Sequence, residues 1–184
     1  MRRLCVYLSV YACVSVHASV LSGQEPIRDN SFLIEEAYNQ EAGVVQHINA
    51  FLRRRSGSEN VYTLTQEWPL GGPRHQLSFT LPVLHLSGLT RVGDIALNYR
   101  YQLLGPGGRT AVAPRLSLFL PTGDHEQRLG SGAWGVQVNL PVSVEFGPRL
   151  VTHWNAGFFL TPSARSPAGQ EATIHGYNLG ASAI

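Results

Sequence analysis

Lysine is absent from this sequence, and charge of either sign is scarce. Only 14% of the 184 residues are charged, compared with about 25% in an average soluble domain. The arginines exceed the acidic residues by a formal net charge of +2, which is too small a surplus to support nucleic-acid binding. The length suits one domain.

Cysteine is rare as well, and both copies lie in an N-terminal stretch with the features of a secretory signal peptide. Two arginines precede an apolar run over residues 4–16, and small residues suited to cleavage follow. This pattern predicts a signal peptide over residues 1–18, because the run is shorter than the roughly 20 residues of a membrane-spanning helix. An uncleaved anchor is the alternative. Removal of Cys5 and Cys13 leaves a mature chain without disulfide or thiolate chemistry.

No sustained helical stripe occurs beyond residue 44, and several segments instead place apolar side chains at every second position. This is the period of a β-strand with two different faces. Over residues 134–146 one face is apolar or aromatic throughout, while Gln137, Asn139 and Glu145 lie on the other. The run is longer than an average strand of about five or six residues and matches the roughly 9–11 residues of a tilted membrane-spanning strand.

The alternation predicts an all-β protein: an antiparallel transmembrane β-barrel with about eight visible strands over residues 43–184. A signal peptide and an N-terminal periplasmic segment over residues 19–42 precede it. The connections are predicted to alternate between long and short, as they do in outer-membrane barrels. We place the strands near residues 44–53, 61–69, 74–84, 92–104, 110–120, 133–146, 149–160 and 174–183.

Aromatic residues on the predicted apolar faces fit the girdles that flank the membrane in such barrels. They are Trp68, Tyr99, Tyr101, Trp134, Phe146, Trp154 and Phe158. Core aromatics of a soluble periplasmic β-sandwich would look similar one strand at a time. A ligand-binding sandwich is therefore an alternative.

Three short motifs carry a family resemblance: Gly-Asp at residues 93–94, LPTGD at residues 120–124 and Gly-x-Gly at residues 130–132. With their surroundings, they resemble the transporter-type outer-membrane family named for the meta-pathway of phenol degradation. The resemblance covers most of the mature chain and implies an outer-membrane barrel with a transport function, but no substrate. We expect a Gram-negative outer-membrane barrel that passes or binds small molecules, including hydrophobic or aromatic ones. Members usually continue beyond the equivalent of Ile184, so we expect a truncated member. A structural barrel with a filled interior is the alternative, because eight strands leave an interior just wide enough for side chains.

Polar side chains on the alternating strands are expected to face the barrel interior. They are Asp94, Asn98, Arg100, Arg115, Gln137, Asn139, Glu145 and His153. Charges in this position tune the selectivity of a channel. The alternative is that Arg100 and Arg115 simply pair with Asp94 or Glu145, because buried charges need partners.

The sequence contains no motif of a catalytic or cofactor-binding site. Neither GxSxG nor HExxH occurs, and the glycines of the loop over residues 121–132 lack the GK[ST] of a phosphate-binding loop. Asp124, His125 and Glu126 have the oxygen and nitrogen atoms of metal ligands, but adjacent polar residues on a loop are usually solvated. We expect no enzymatic activity, cofactor or metal. The expected partners are outer-membrane lipid, lipopolysaccharide near the arginines of residues 53–55, and a small solute.

Residues 19–42 follow no periodic pattern. Phe32, Leu33 and Ile34 precede the first predicted strand. We expect this segment to plug or cap the lower mouth of the barrel.

Overall fold

A computed structural model describes residues 34–53, 59–105 and 107–184. The predicted signal peptide over residues 1–18 lies outside these ranges, as do Phe32, Leu33 and two of the three arginines of residues 53–55. Among the described residues, no helix is long and apolar enough to cross a lipid bilayer.

The described chain is built from β-strands joined by turns and loops. The strands are β1 (Gln46–Arg53), β2 (Asn60–Pro69), β3 (His75–Leu86), β4 (Leu89–Val92), β5 (Ile95–Tyr101), β6 (Thr110–Val112), β7 (Arg115–Leu120), β8 (Gly135–Glu145), β9 (Val151–Arg165) and β10 (Glu171–Ala183). Each predicted strand has a counterpart, but β9 and β10 extend beyond their predicted bounds, β4 lies almost wholly in a predicted loop, and the predicted strand over residues 110–120 is divided into β6 and β7. Gly93 and Asp94 separate β4 from β5, and Ala113 and Pro114 separate β6 from β7.

The strands form a single antiparallel sheet in the order β1-β2-β3-β5-β7-β8-β9-β10, with β4 attached to β3 and β6 attached to β8. The sheet curls into a half-barrel of eight strands. In the described part of the chain β1 pairs only with β2 and β10 only with β9, so these two strands are its edges. The prediction of an antiparallel all-β fold is confirmed. The described strands do not form the two stacked sheets of a β-sandwich.

The two faces of the sheet are reversed relative to those of a soluble protein. Asn139 on β8 is 3% exposed, whereas the neighbouring Val138 is 52% exposed. On β5, Arg100 is 3% exposed and Leu97 is 46% exposed. The polar side chains therefore line the concave face, where hydrogen bonds compensate their burial, and the apolar side chains cover the convex face.

The connections depart from the predicted alternation in two places, because strand pairing continues into segments that the sequence indicates to be loops. β3 and β4 form a hairpin closed by Ser87 and Gly88, with φ of 51° and 82°. Positive φ at both positions suits the tight turn that matches the twist of the flanking strands. β9 and β10 are likewise extended, and residues 166–170 connect them. The loop over residues 121–134 between β7 and β8 is long, as predicted.

Candidate functional site

Residues 35–40, which we call the inner segment, lie on the concave face of the sheet. They are near the end at which residues 146–150 connect β8 to β9, because the hydroxyl of Tyr38 donates to Glu145 at 3.3 Å. The loop over residues 121–134 is at the opposite end. The segment is not a strand. It is held by side chains of the sheet. The plug predicted from Phe32, Leu33 and Ile34 stays a prediction, because the first two of these residues lie outside the described ranges.

Side-chain amides of the sheet bind the main chain of the inner segment. Asn155 accepts from the N–H of Glu35 at 2.8 Å and donates to the carbonyl of the same residue at 2.6 Å. Gln102 accepts from the N–H of Asn39 at 2.7 Å and donates to the carbonyl of Ala37 at 2.6 Å. Each amide thus accepts from a main-chain N–H and donates to a main-chain carbonyl, as the backbone of a neighbouring β-strand does.

Two further contacts complete this main-chain recognition. The N–H of Ala37 donates to the hydroxyl of Ser143 at 2.9 Å, and the N–H of Gln40 donates to Gln76 at 2.8 Å. The hydroxyl of Ser143 is also 2.8 Å from Nδ1 of His153. The predicted interior residue His153 therefore supports a residue that holds the segment.

Arg100 is the most extensively bonded side chain of the concave face. Its guanidinium donates to Oδ1 of Asn39 at 2.8 Å, to the carbonyl of Tyr38 at 2.5 Å and to the carbonyl of Glu36 at 3.3 Å. It also forms an ion pair with Glu35 at 3.0 Å. Because the planar guanidinium presents five donors in a fixed arrangement, one buried arginine engages several residues of the segment.

The carboxylate of Glu35 forms ion pairs with two guanidinium groups and accepts a hydrogen bond from a side-chain amide. Nη1 of Arg100 is 3.0 Å from Oε1, and Nη1 of Arg115 is 3.0 Å from Oε2. The side-chain amide of Asn139 donates to Oε2 at 2.7 Å. We call these four residues the Glu35 cluster. Hydrogen bonds between ionised partners are about twice as strong as neutral ones, so the cluster is the main electrostatic contact of the inner segment.

The other predicted interior residues occupy different surroundings. Asn98 donates to the hydroxyl of Ser78 at 3.1 Å. Gln137 lines a cavity of about 390 Å³ on the concave face, together with the Glu35 cluster. Asp94 instead binds the loop over residues 121–134. The carboxylate that pairs with both arginines is thus Glu35, and not Asp94 or Glu145.

Asp94 connects the short motifs that carry the family resemblance. Its Oδ1 accepts from the N–H of Gly123 at 2.9 Å, and its Oδ2 accepts from the N–H and hydroxyl of Ser131 at 2.7 and 2.6 Å. A side chain at residue 130 would place its Cβ 2.6 Å from Oδ1 of Asp94, so only glycine fits there. Thr122 Oγ1 donates to the carbonyl of Gly93 at 2.8 Å. The three motifs therefore form one loop anchor.

We expect Asp94→Asn to loosen this anchor. The asparagine amide would place a donor against the N–H and hydroxyl donors that now bind Oδ2, and hydrogen bonds to a charged group contribute roughly 1.5–3 kcal/mol. Trypsin should therefore cleave faster after the exposed Arg128 of the loop. Glu126→Gln, which removes the same charge from an exposed position of that loop, is the control. Equal cleavage rates for both variants would refute the anchor.

The loop residues considered as metal ligands take part in a local turn. Oδ1 of Asp124 accepts from the N–H groups of Glu126 and Gln127 at 3.0 and 3.2 Å. Within the ranges that the structure describes, no three histidine, cysteine, aspartate or glutamate side chains are grouped in an arrangement that could hold a metal ion. The role of Asp124 in the structure is to cap the turn.

The comparison of this sequence with protein-family models and with curated proteins gives no match. Two of the side chains that hold the inner segment could have been found from the sequence, because residues two apart in an extended segment face the same side. Gln102 is two residues from Arg100, and Asn155 is two residues from His153. Glu35 has no such signal, because it precedes the first strand.

Proposed function

We propose that this protein is an outer-membrane β-barrel that passes small solutes through its interior. The observation that carries the proposal is the reversal of the two faces, since a membrane barrel presents an apolar surface to lipid and a polar interior. Contiguous apolar surface of this kind is rare on soluble monomers. Exposed apolar side chains of the convex face include Leu97, Leu116, Leu118, Val136, Val138, Leu140, Trp154, Phe158, Tyr177 and Leu179.

The length of the apolar face of β8 supports a membrane location. Trp134 and Phe146, which are 57% and 67% exposed, flank it at its two ends. At about 3.3 Å per residue they are roughly 40 Å apart along the strand. A strand tilt of 35–45° reduces this to about 28–33 Å along the membrane normal, which accommodates an apolar band of about 25 Å with an aromatic girdle on each side.

The export and transport parts of this proposal rest on the sequence. The predicted signal peptide provides the route out of the cytoplasm, and the family resemblance suggests a transporter of a Gram-negative outer membrane. The polar lining of the concave cavity favours solutes with polar groups over purely hydrophobic ones. Residues such as Arg115, Gln137 and Asn139 would contact a solute there.

A structural barrel with a filled interior is the second candidate. It is favoured by the inner segment, whose main chain and Glu35 carboxylate are bound by buried side chains of the sheet. The 390 Å³ cavity beside the segment favours passage instead. The two candidates share the membrane location and differ in whether the segment can leave.

Val138→Arg tests the membrane location. Val138 is near the middle of the exposed face of β8, and arginine facing lipid at the bilayer midplane costs about 2–4 kcal/mol. We expect less of the variant, expressed with its own signal, to reach the outer membrane with heat-modifiable migration on a gel. Gln127→Arg, at an exposed loop position, should behave like the unchanged protein. Unimpaired folding of Val138→Arg, with the protein soluble in the periplasm, would overturn the proposal.

A further inference from the structure

We propose that Arg100 and Arg115 form a binding site for the carboxylate group of a small solute, and that Glu35 occupies this site as a competing internal ligand. The inference rests on the proposed function, because a solute reaches these residues through the interior of the barrel. It adds a chemical class of solute and a means by which the protein holds its own site closed.

The two arginines are directly opposite each other on neighbouring strands. Arg100 on β5 is the register partner of Arg115 on β7, which in turn is the partner of Asn139 on β8. Like charges at directly opposite positions destabilise a sheet. An anion between them removes this repulsion, so the sheet itself creates a place for a negative group.

The side chains of Arg100, Arg115 and Asn139 all point to one carboxylate, that of Glu35. Each oxygen of Glu35 is 3.0 Å from a different guanidinium, and Asn139 adds a third donor at 2.7 Å. Planar guanidinium groups are suited to carboxylates, which they bind through two parallel hydrogen bonds. The geometry is that of a carboxylate receptor in which a residue of the same chain is the present ligand.

Glu35 satisfies this receptor only in part. Nε of Arg115 is buried and has no hydrogen-bond partner among the described residues. Glu35 contacts Arg115 through Nη1. The Nε–H of Arg115 lies on the guanidinium edge shared with Nη2, and a carboxylate that is not restricted by the peptide backbone can use this edge. The site thus offers a solute a hydrogen bond that Glu35 does not make.

The cavity next to the Glu35 cluster has the volume and the charged side chains that binding of a solute carboxylate requires. The cavity of about 390 Å³ adjoins the cluster, within the range of typical small-molecule sites. Its charged lining residues are Glu35, Glu67, Arg100 and Arg115. Glu67 already accepts from Gln76 at 2.8 Å. Withdrawal of Glu35 therefore leaves the two arginines in excess over one acidic residue, and the cavity becomes attractive to anions.

Glu35→Gln is the decisive variant. The full chain, folded in detergent micelles, is titrated with butyrate in a calorimeter, and butyramide serves as its neutral analogue. Removing an internal ligand that occupies the site most of the time should tighten butyrate binding by about tenfold or more. Butyramide binding should not change. Glu171→Gln is the matched control, because it removes the same charge from an exposed pair with Arg165, and it should bind butyrate as the unchanged protein does.

Further variants test the site itself. Glu35→Asp keeps the charge but withdraws it by one methylene, so it should give a smaller gain. Adding Arg115→Gln to Glu35→Gln should abolish the gain. Heat-modifiable gel migration confirms that each variant is folded.

Equal butyrate affinities for Glu35→Gln and Glu171→Gln would overturn the proposal. The same holds if inorganic phosphate binds Glu35→Gln as tightly as butyrate, because the site would then not select carboxylates. Binding in micelles does not depend on passage. Tight butyrate binding by Glu35→Gln, with no conductance even after the inner segment is replaced, would support the site and refute transport, whereas conductance without butyrate binding would refute the site alone.

Discussion

Replacing Arg100 by glutamine is expected to lower the free energy of unfolding by about 3–5 kcal/mol, the loss typical of breaking a buried ion pair from one side. The change leaves the carboxylate of Glu35 without one of its two guanidinium partners. It also removes the donors to the main-chain carbonyls of Glu36 and Tyr38. Urea unfolding of the full chain refolded in lipid vesicles, followed by tryptophan fluorescence, measures the loss.

Arg91→Gln is the control for this experiment. Arg91 is exposed, and its guanidinium donates to the carbonyl of the adjacent Thr90 at 2.9 Å, so its loss should change the stability by no more than about 0.5 kcal/mol. Adding Glu35→Gln to Arg100→Gln should restore part of the stability, because the uncompensated buried carboxylate is then removed. A loss from Arg100→Gln no larger than that from Arg91→Gln would refute the central role of Arg100.

Replacing the inner segment by a glycine-serine sequence of equal length is expected to raise the time-averaged conductance per channel in a planar bilayer by about tenfold or more. An interior that is occluded most of the time conducts only through its minor open state. The replacement removes Glu35 and every other side chain of residues 35–40, so the ion pairs of the Glu35 carboxylate with Arg100 and Arg115 and its hydrogen bond from Asn139 are lost. The equal length keeps β1 in place.

The same replacement over residues 124–128, in the loop at the opposite end of the sheet, is the control and should leave the conductance unchanged. This comparison separates the two candidate functions. If the barrel without its inner segment remains non-conducting, the interior is filled by the sheet's own side chains and transport is excluded. If both replacements raise conductance equally, occlusion by the inner segment is refuted.

The strands were predictable from the sequence because the polarity of each residue indicates which face of the sheet it lies on. On β8, the alternation of Val138, Asn139 and Leu140 assigns each side chain to a face. The same period on β5 separates Asn98 and Arg100 from Leu97. The reversal of the faces could not be decided by the period alone, since alternation is the same whichever face is buried.

The central residue of the candidate site was not predictable in this way. Glu35 lies outside every strand, and its partners Arg100 and Asn155 are distant in sequence. Only the folded sheet brings them together. The hairpin of β3 and β4 was missed for a different reason: Ser87 and Gly88 have the composition of a loop, and pairing between the flanking residues continues on both sides of them.

Because the sheet binds the main chain of the inner segment at several positions, some side chains of the segment can be substituted without loss of these contacts. Gln102, Ser143 and Gln76 bind N–H and carbonyl groups that every residue except proline provides. A change of side chain at residue 40 would remove its hydrogen bond to Gln46 but leave its main-chain contact with Gln76, whereas residue 37, fully buried as alanine, must stay small. Selection would act on side chains that the sheet binds directly, Glu35 through its carboxylate and Asn39 through its Oδ1, more than on positions that the sheet holds only by the main chain.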